Sequence, residues 1–200
     1  MIHPFFEEIK KYLNFKNEID FDKTSLPEPY LGRNQIVAIL LGADPTNNGI
    51  KADKGLKQLN TVFGIESRYE VDFFKPQLIN LRALTLNKEG LFIQNLCRNY
   101  FTRQTGQNPK WNKIAELWIK YFKDEIGRFE NIPILVTAEK ILRVLTKKNI
   151  KAELLYEEPE KHLPLWSDSL QREVYPLYRH PKYFLTQQNK YRDYLLTKLK

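Results

Sequence analysis

The chain has 200 residues, of which 42% are hydrophobic and 13% aromatic, with 8 glycines and 11 prolines. That length and balance suit one ordered domain with a full core and exclude a disordered or low-complexity chain. Lys and Arg outnumber Asp and Glu by 32 to 24, a net charge of +8, which suits a polyanionic partner or anionic substrate and equally a merely basic, soluble surface.

Cys97 is the only cysteine, which excludes an internal disulfide framework, and His3, His162 and His180 are scattered without zinc-site spacing. No apolar run reaches membrane-span length and the N-terminus is not signal-like, so the expected location is cytoplasmic with no membrane partner.

In chain order, Ile2, Phe5, Phe6, Ile9 and Leu13 fall at helical spacing between charged residues, which predicts an amphipathic N-terminal helix. Residues 14–33 read as an irregular lead-in with Pro27, Pro29 and Gly32. The apolar run Ile36 to Leu41 reads as a strand buried on both faces that stops at Gly42. Asp44, Pro45, Asn47, Asn48 and Gly49 then crowd turn formers together and place an acid at the carboxyl end of that strand, the edge where open α/β sheets bind ligands.

Residues 53–63 suggest a short helix ended by Gly64, and residues 72–88 a helical stretch interrupted by Pro76. A second strand is expected over residues 90–97, with Asn95 as its polar oddity. A helix follows from Asn112 to about Ile126, carrying Ile114, Leu117, Trp118, Tyr121 and Phe122. Residues 132–137 read as a third strand and 138–148 as the helix after it. Residues 152–156 are expected to be a strand or hairpin, 159–166 a loop, 172–178 a last strand whose Pro176 suggests an edge or bend, and 187–199 a basic helix. Alternating strands and helices of these lengths imply a parallel sheet covered on both faces. The turn after the first strand is neither a P-loop nor a dinucleotide fingerprint.

Three landmarks stand in order: Gly42-Ala43-Asp44-Pro45 with Gly49 after the first strand, Asn95 late in the second, and His180-Pro181 after the last. Together they resemble the uracil-DNA glycosylase superfamily, from about Ile36 to the C-terminus. The resemblance implies an α/β three-layer sandwich with a central, mainly parallel four-stranded sheet, formed by residues 1–200 as one domain with 1–33 as its lead-in. It also implies hydrolysis of the N-glycosidic bond of a deaminated base in DNA, uracil first, by a monomer without metal or organic cofactor. The alternative is an inactive member of the fold that binds nucleic acid or protein.

Under the resemblance Asp44 and His180 are catalytic, Asp44 placing water and stabilising the sugar cation and His180 donating to the base. Gly42, Ala43, Pro45, Phe63 and Asn95 form the base pocket, Phe63 stacking and Asn95 pairing with the base edge. Lys182, Tyr183, Phe184 and Leu185 stand where the family has a DNA-entering loop, as an apolar wedge or as plain core. Taken singly, Asp44 also reads as a turn cap, Asn95 as a buried amide tying strand to loop, and Phe63 as core. Trp111 with Arg98, Tyr100, Arg103 and Lys110 reads as a DNA surface or, for Trp111, as packing at its helix start. The chain departs from the family at Thr46, where the best-known branch has tyrosine, and in the residues after His180-Pro181.

Overall fold

The computed structural model describes residues 3–12, 15–46, 58–129 and 131–199. In chain order the elements are α1 Pro4–Ile9, β1 Tyr30–Leu31, β2 Ala38–Gly42, α2 Glu70–Phe73, α3 Lys75–Ala83, β3 Leu91–Asn95 and α4 Trp111–Ile126. They continue with β4 Ile134–Val136, α5 Glu139–Thr146, α6 Ala152–Glu157, α7 Pro159–His162, β5 Leu165–Ser167, β6 Arg172–Pro176 and α8 Asn189–Lys198.

The strands form one sheet in the order β1-β3-β2-β4-β6-β5. The inner four, β3, β2, β4 and β6, run parallel, and both edge strands pair antiparallel, β1 on β3 and β5 on β6. Successive residues of a strand point to opposite faces, and Ala38, Ile39, Leu40 and Leu41 are all fully buried. Both faces of β2 are therefore covered, which is why its sequence is continuously apolar rather than alternating. Helix α4 buries Trp111, Ile114, Ala115, Trp118, Ile119, Phe122 and Ile126, the stripe that its three-to-four-residue spacing dictates. Trp118 on that stripe stacks on Phe5 of α1 at 4.1 Å, so the N-terminal helix is pinned by an aromatic pair.

The sheet corrects the expectation of four strands: it has six and is mixed. The two additions have two and three residues, too short to display any period, and β1 lies in the proline-bearing lead-in. Residues 152–156 are helical, not a strand or hairpin, and bury Ala152, Leu155 and Tyr156 at helical spacing; five mostly apolar residues fit either period. The expected loop 159–166 contains α7 and the start of β5. Pro176 does not make β6 an edge strand: it is the last residue of β6, paired with Val136 of β4 and beyond the β5 ladder, which ends at Val174, and the Leu177 N–H donates to Val136 O at 2.8 Å. Pro76 is accommodated in the first turn of α3, where its missing N–H has no intrahelical partner to lose. The helix expected over 53–63 falls partly outside the described residues; its described end is a 3-10 turn, Val62–Gly64.

Candidate active site at the carboxyl edge of the sheet

Parallel pairing sets Gly42, the last residue of β2, directly beside Asn95, the last residue of β3. A Cβ built on Gly42 would lie 2.5 Å from Phe63 Cζ and closer still to Asn95 Oδ1. Only the absence of a side chain there lets the Phe63 ring and the Asn95 amide meet at the strand ends. Phe63 reaches this position from a left-handed backbone, φ 53°, followed by Gly64 at φ 64°. For a bulky L-residue that conformation costs about 1–2 kcal/mol, held in place by burial and by Phe74, whose ring centroid is 5.8 Å away.

Asp44 follows two residues after Gly42. Its Oδ1 accepts from Thr46 N–H at 3.0 Å, and its Oδ2 from the Thr105 hydroxyl at 2.6 Å and the Trp111 indole N–H at 2.8 Å. Three donors hold the carboxyl in one orientation and leave Oδ1 with further acceptor capacity. Burial pushes its pKa above the ordinary aspartate value, opposed by hydrogen bonds from Thr105, Thr46 and Trp111. The turn role that Asp-Pro sequences favour is thus present, but the side chain is also clamped from two distant segments. Thr46 is fixed as well, its hydroxyl accepting from Phe101 N–H at 2.9 Å.

Asp44, Pro45, Thr46, Phe63, Asn95 and Arg179 are among the residues lining one pocket of about 300 Å³. Asn95 is 2% exposed and, among the described residues, its Oδ1 accepts no hydrogen bond. A buried acceptor left without a partner costs about 1–3 kcal/mol, and this one stands on the wall of a cavity. Gly42 lies beneath that wall, and Ala43 is half-buried with its carbonyl accepting from Cys97 N–H at 2.9 Å.

The structure places the remaining expected residues differently. His180 is exposed and is not among the residues lining the pocket; its neighbour Arg179 is. The His180 Nδ1 accepts from Lys182 N–H at 3.2 Å, so the neutral ring carries its proton on Nε2 and presents a donor there. Lys182 is exposed and paired with Glu153 at 2.7 Å. Leu185 is fully buried with its N–H donating to Asn80 Oδ1 at 2.9 Å, the position expected of its plain-core alternative. Tyr183 is likewise committed, its ring 4.9 Å from Tyr156 and its hydroxyl donating to Glu153 at 3.0 Å. Phe184 is half-buried and stands apart from the core cluster.

Of the residues read as a DNA surface, most are buried, and Trp111 takes its alternative role, packing at the start of α4. Arg98 is buried and ion-paired with Glu125 at 2.9 Å and Glu28 at 3.4 Å, Tyr100 is buried with its hydroxyl accepting from Leu59 N–H at 2.6 Å, and Trp111 is fully buried against Asp44. Arg103 alone of that group is exposed, Lys110 being half-buried. Lys51 and Lys54 lie outside the described residues.

Thr105, Lys140 and Arg179 carry no sequence signal of their own. Lys140 stands in the first turn of α5, immediately past the carboxyl end of β4, and its Nζ donates to Thr105 O at 2.6 Å and Asn108 O at 3.2 Å. Among the described residues no group of three or more His, Cys, Asp or Glu side chains is placed to hold a metal ion, and no helix is long and apolar enough to cross a membrane.

The fold and this pocket define an α/β domain with a carboxylate, an amide and an aromatic ring gathered at the carboxyl edge of a mixed sheet. Compared with known families and proteins, the chain matches no family model, and no curated protein sequence is significantly similar to it.

Proposed function

We propose that the chain is a DNA glycosylase that hydrolyses the N-glycosidic bond of a deaminated base, uracil first, with DNA as its macromolecular partner. The observation that carries the reading is the unpartnered Asn95 Oδ1 on the wall of a pocket that also holds the Asp44 carboxyl and the Phe63 ring. An extruded uracil offers that oxygen its N3–H, whereas cytosine presents an acceptor at the same position. Phe63 is the stacking face, and its strained backbone is the kind of local expense that accompanies a functional pocket.

The chemistry needs charge stabilised at both ends of the breaking bond. Asp44, held by Thr46, Thr105 and Trp111, supplies a carboxylate for the developing sugar cation and an acceptor for the attacking water. The Arg179 guanidinium, which lines the pocket, and the His180 Nε2–H beside it are the donors assigned to the departing base or a flanking phosphate. The rival reading, a binding module without turnover, is favoured by one observation, the position of His180 outside the pocket lining.

Single-turnover incubation with labelled single- and double-stranded oligonucleotides, each bearing one modified base, separates the two. Release of uracil by the wild type, slowed roughly 10²–10⁴-fold in Asp44→Asn with DNA affinity retained, is expected. DNA binding without release of any modified base overturns the enzyme reading in favour of the module.

A further inference from the structure

Lys140 makes no ion pair within 4 Å among the described residues, although it is half-buried and its burial pulls its pKa down. Its ammonium is spent on two backbone carbonyls, Thr105 O and Asn108 O, and lies 5.3 Å from the centre of the Trp111 ring. Those contacts fall on the segment that delivers the two donors of Asp44 Oδ2: the Thr105 hydroxyl and the Trp111 indole N–H, the latter at the start of α4. The Asp44 carboxylate opposes the effect of burial, pushing the Lys140 pKa back up. The other titratable group acting on it is the buried Cys97 thiol, whose own pKa burial raises; Arg179 lines the pocket together with Asp44.

We propose that Lys140 is a positioning residue for Asp44: it ties the Thr105–Asn108 turn to the first turn of α5 and thereby holds two donors on Oδ2, keeping the carboxyl ionised with Oδ1 turned to the pocket. The inference rests on Asp44 as the charge-bearing group of the site, as in the glycosylase reading. A cation that bonds only carbonyls, in contact with the indole that donates to a desolvated carboxylate, acts on that carboxylate in two ways. It fixes the donors in place, and its own field favours the ionised form.

Three variants of the full chain test the dependence of Asp44 on the Lys140 ammonium. Titrating the Asp44 side-chain carboxyl by carbon-detected NMR, with unfolding midpoints recorded alongside, should show the Asp44 midpoint moving up by roughly one pH unit in Lys140→Met and Lys140→Gln, and holding near the wild-type value in Lys140→Arg. The acid limb of single-turnover uracil release should move with it. If Lys140→Met does not fold, the comparison of Lys140→Gln with Lys140→Arg decides the question on the same readout. An Asp44 midpoint that is the same with and without the charge overturns the inference whatever the activity. A midpoint that moves in a protein releasing no base leaves the inference standing and sinks the glycosylase reading instead.

Discussion

Replacing Gly42 by alanine tests the construction of the pocket without presuming what it binds. The added methyl would sit 2.5 Å from Phe63 Cζ, about 1 Å inside the 3.5–4.0 Å at which carbon atoms rest, and closer than that to Asn95 Oδ1. Neither neighbour is the free end of a flexible side chain. Phe63 is 8% exposed, on a left-handed backbone, and Asn95 is 2% exposed and laddered to Gly42 itself. Relief therefore requires the ring and the amide to leave the strand ends, an overpacking cost of about 1–3 kcal/mol, which for a chain of this size lowers the melting temperature by roughly 2–12 °C. On the proposed glycosylase reading, base release should fall as well, by up to about 10²-fold for a displacement of 1 Å. Urea unfolding of Gly42→Ala, Phe63→Ala and the double variant measures the coupling. Because Phe63→Ala opens the space the methyl needs, the two costs should fall short of additivity by about 1 kcal/mol or more. A Gly42→Ala protein within 0.5 kcal/mol of wild type, or strictly additive costs, would refute the proposed packing of glycine, ring and amide.

Asp44 predicts a stability signature. Its folded pKa is raised, so the native state holds that proton more tightly than the unfolded chain does; the resulting stabilisation is complete below the unfolded value of about 3.9 and is lost as pH rises through the folded value. Asp44→Asn lacks this titration, so its stability relative to wild type should rise as pH increases through that window, and a difference flat in pH from 3 to 8 by urea unfolding would contradict the burial argument. In the last loop, Leu185→Ala should cost about 2–5 kcal/mol and leave the affinity of the folded protein for DNA unchanged. Phe184→Ala should do the reverse, costing little stability and weakening binding to DNA; a pair of variants with those effects exchanged would restore the wedge to Leu185.

Much of this was legible because three of the four inner strands announce themselves. Residues 36–41, 90–97 and 132–137 are apolar runs too short for helices, and α4 between the last two carries a clear stripe, so most of the parallel centre of the sheet followed. The edges did not, since two or three residues hold no periodic information. Residues 152–156 were misread for the related reason that Ala152, Leu155 and Tyr156 satisfy a helix while the same letters tolerate a strand. At the site, Asp44 and Asn95 were visible as polar residues at strand ends, where a hydrophobic pattern stops and a side chain faces the sheet's carboxyl edge. Phe63 came from the resemblance and lines the pocket, but nothing local foretells a left-handed phenylalanine. Thr105, Lys140 and Arg179 were illegible because their roles depend on contacts 61, 35 and more residues away or on the pocket they line.

Of the two readings open for Tyr183 and Leu185, wedge or core, their packing matches core, for a reason that bears on the site as a whole. Apolar residues after a strand are by default core, and here Tyr156, Tyr178, Tyr183 and Tyr191 cluster with ring centroids 4.4 to 5.8 Å apart. A functional assignment therefore needs positions where the structure bears a cost that packing does not require. Unpartnered buried polar atoms alone do not mark such a position, for Gln94, Tyr178 and Tyr194 have them too. What distinguishes the carboxyl edge of β2 and β3 is that three independent costs coincide within one pocket: an acceptor without a donor at Asn95, a left-handed backbone at Phe63 and a carboxyl desolvated at Asp44. The first two are each of the order of 1–3 kcal/mol, in a protein class whose whole stability is about 5–15 kcal/mol. A ligand that donates to Asn95, stacks on Phe63 and places positive character beside Asp44 would offset all three at once, and a base leaving its sugar is such a ligand.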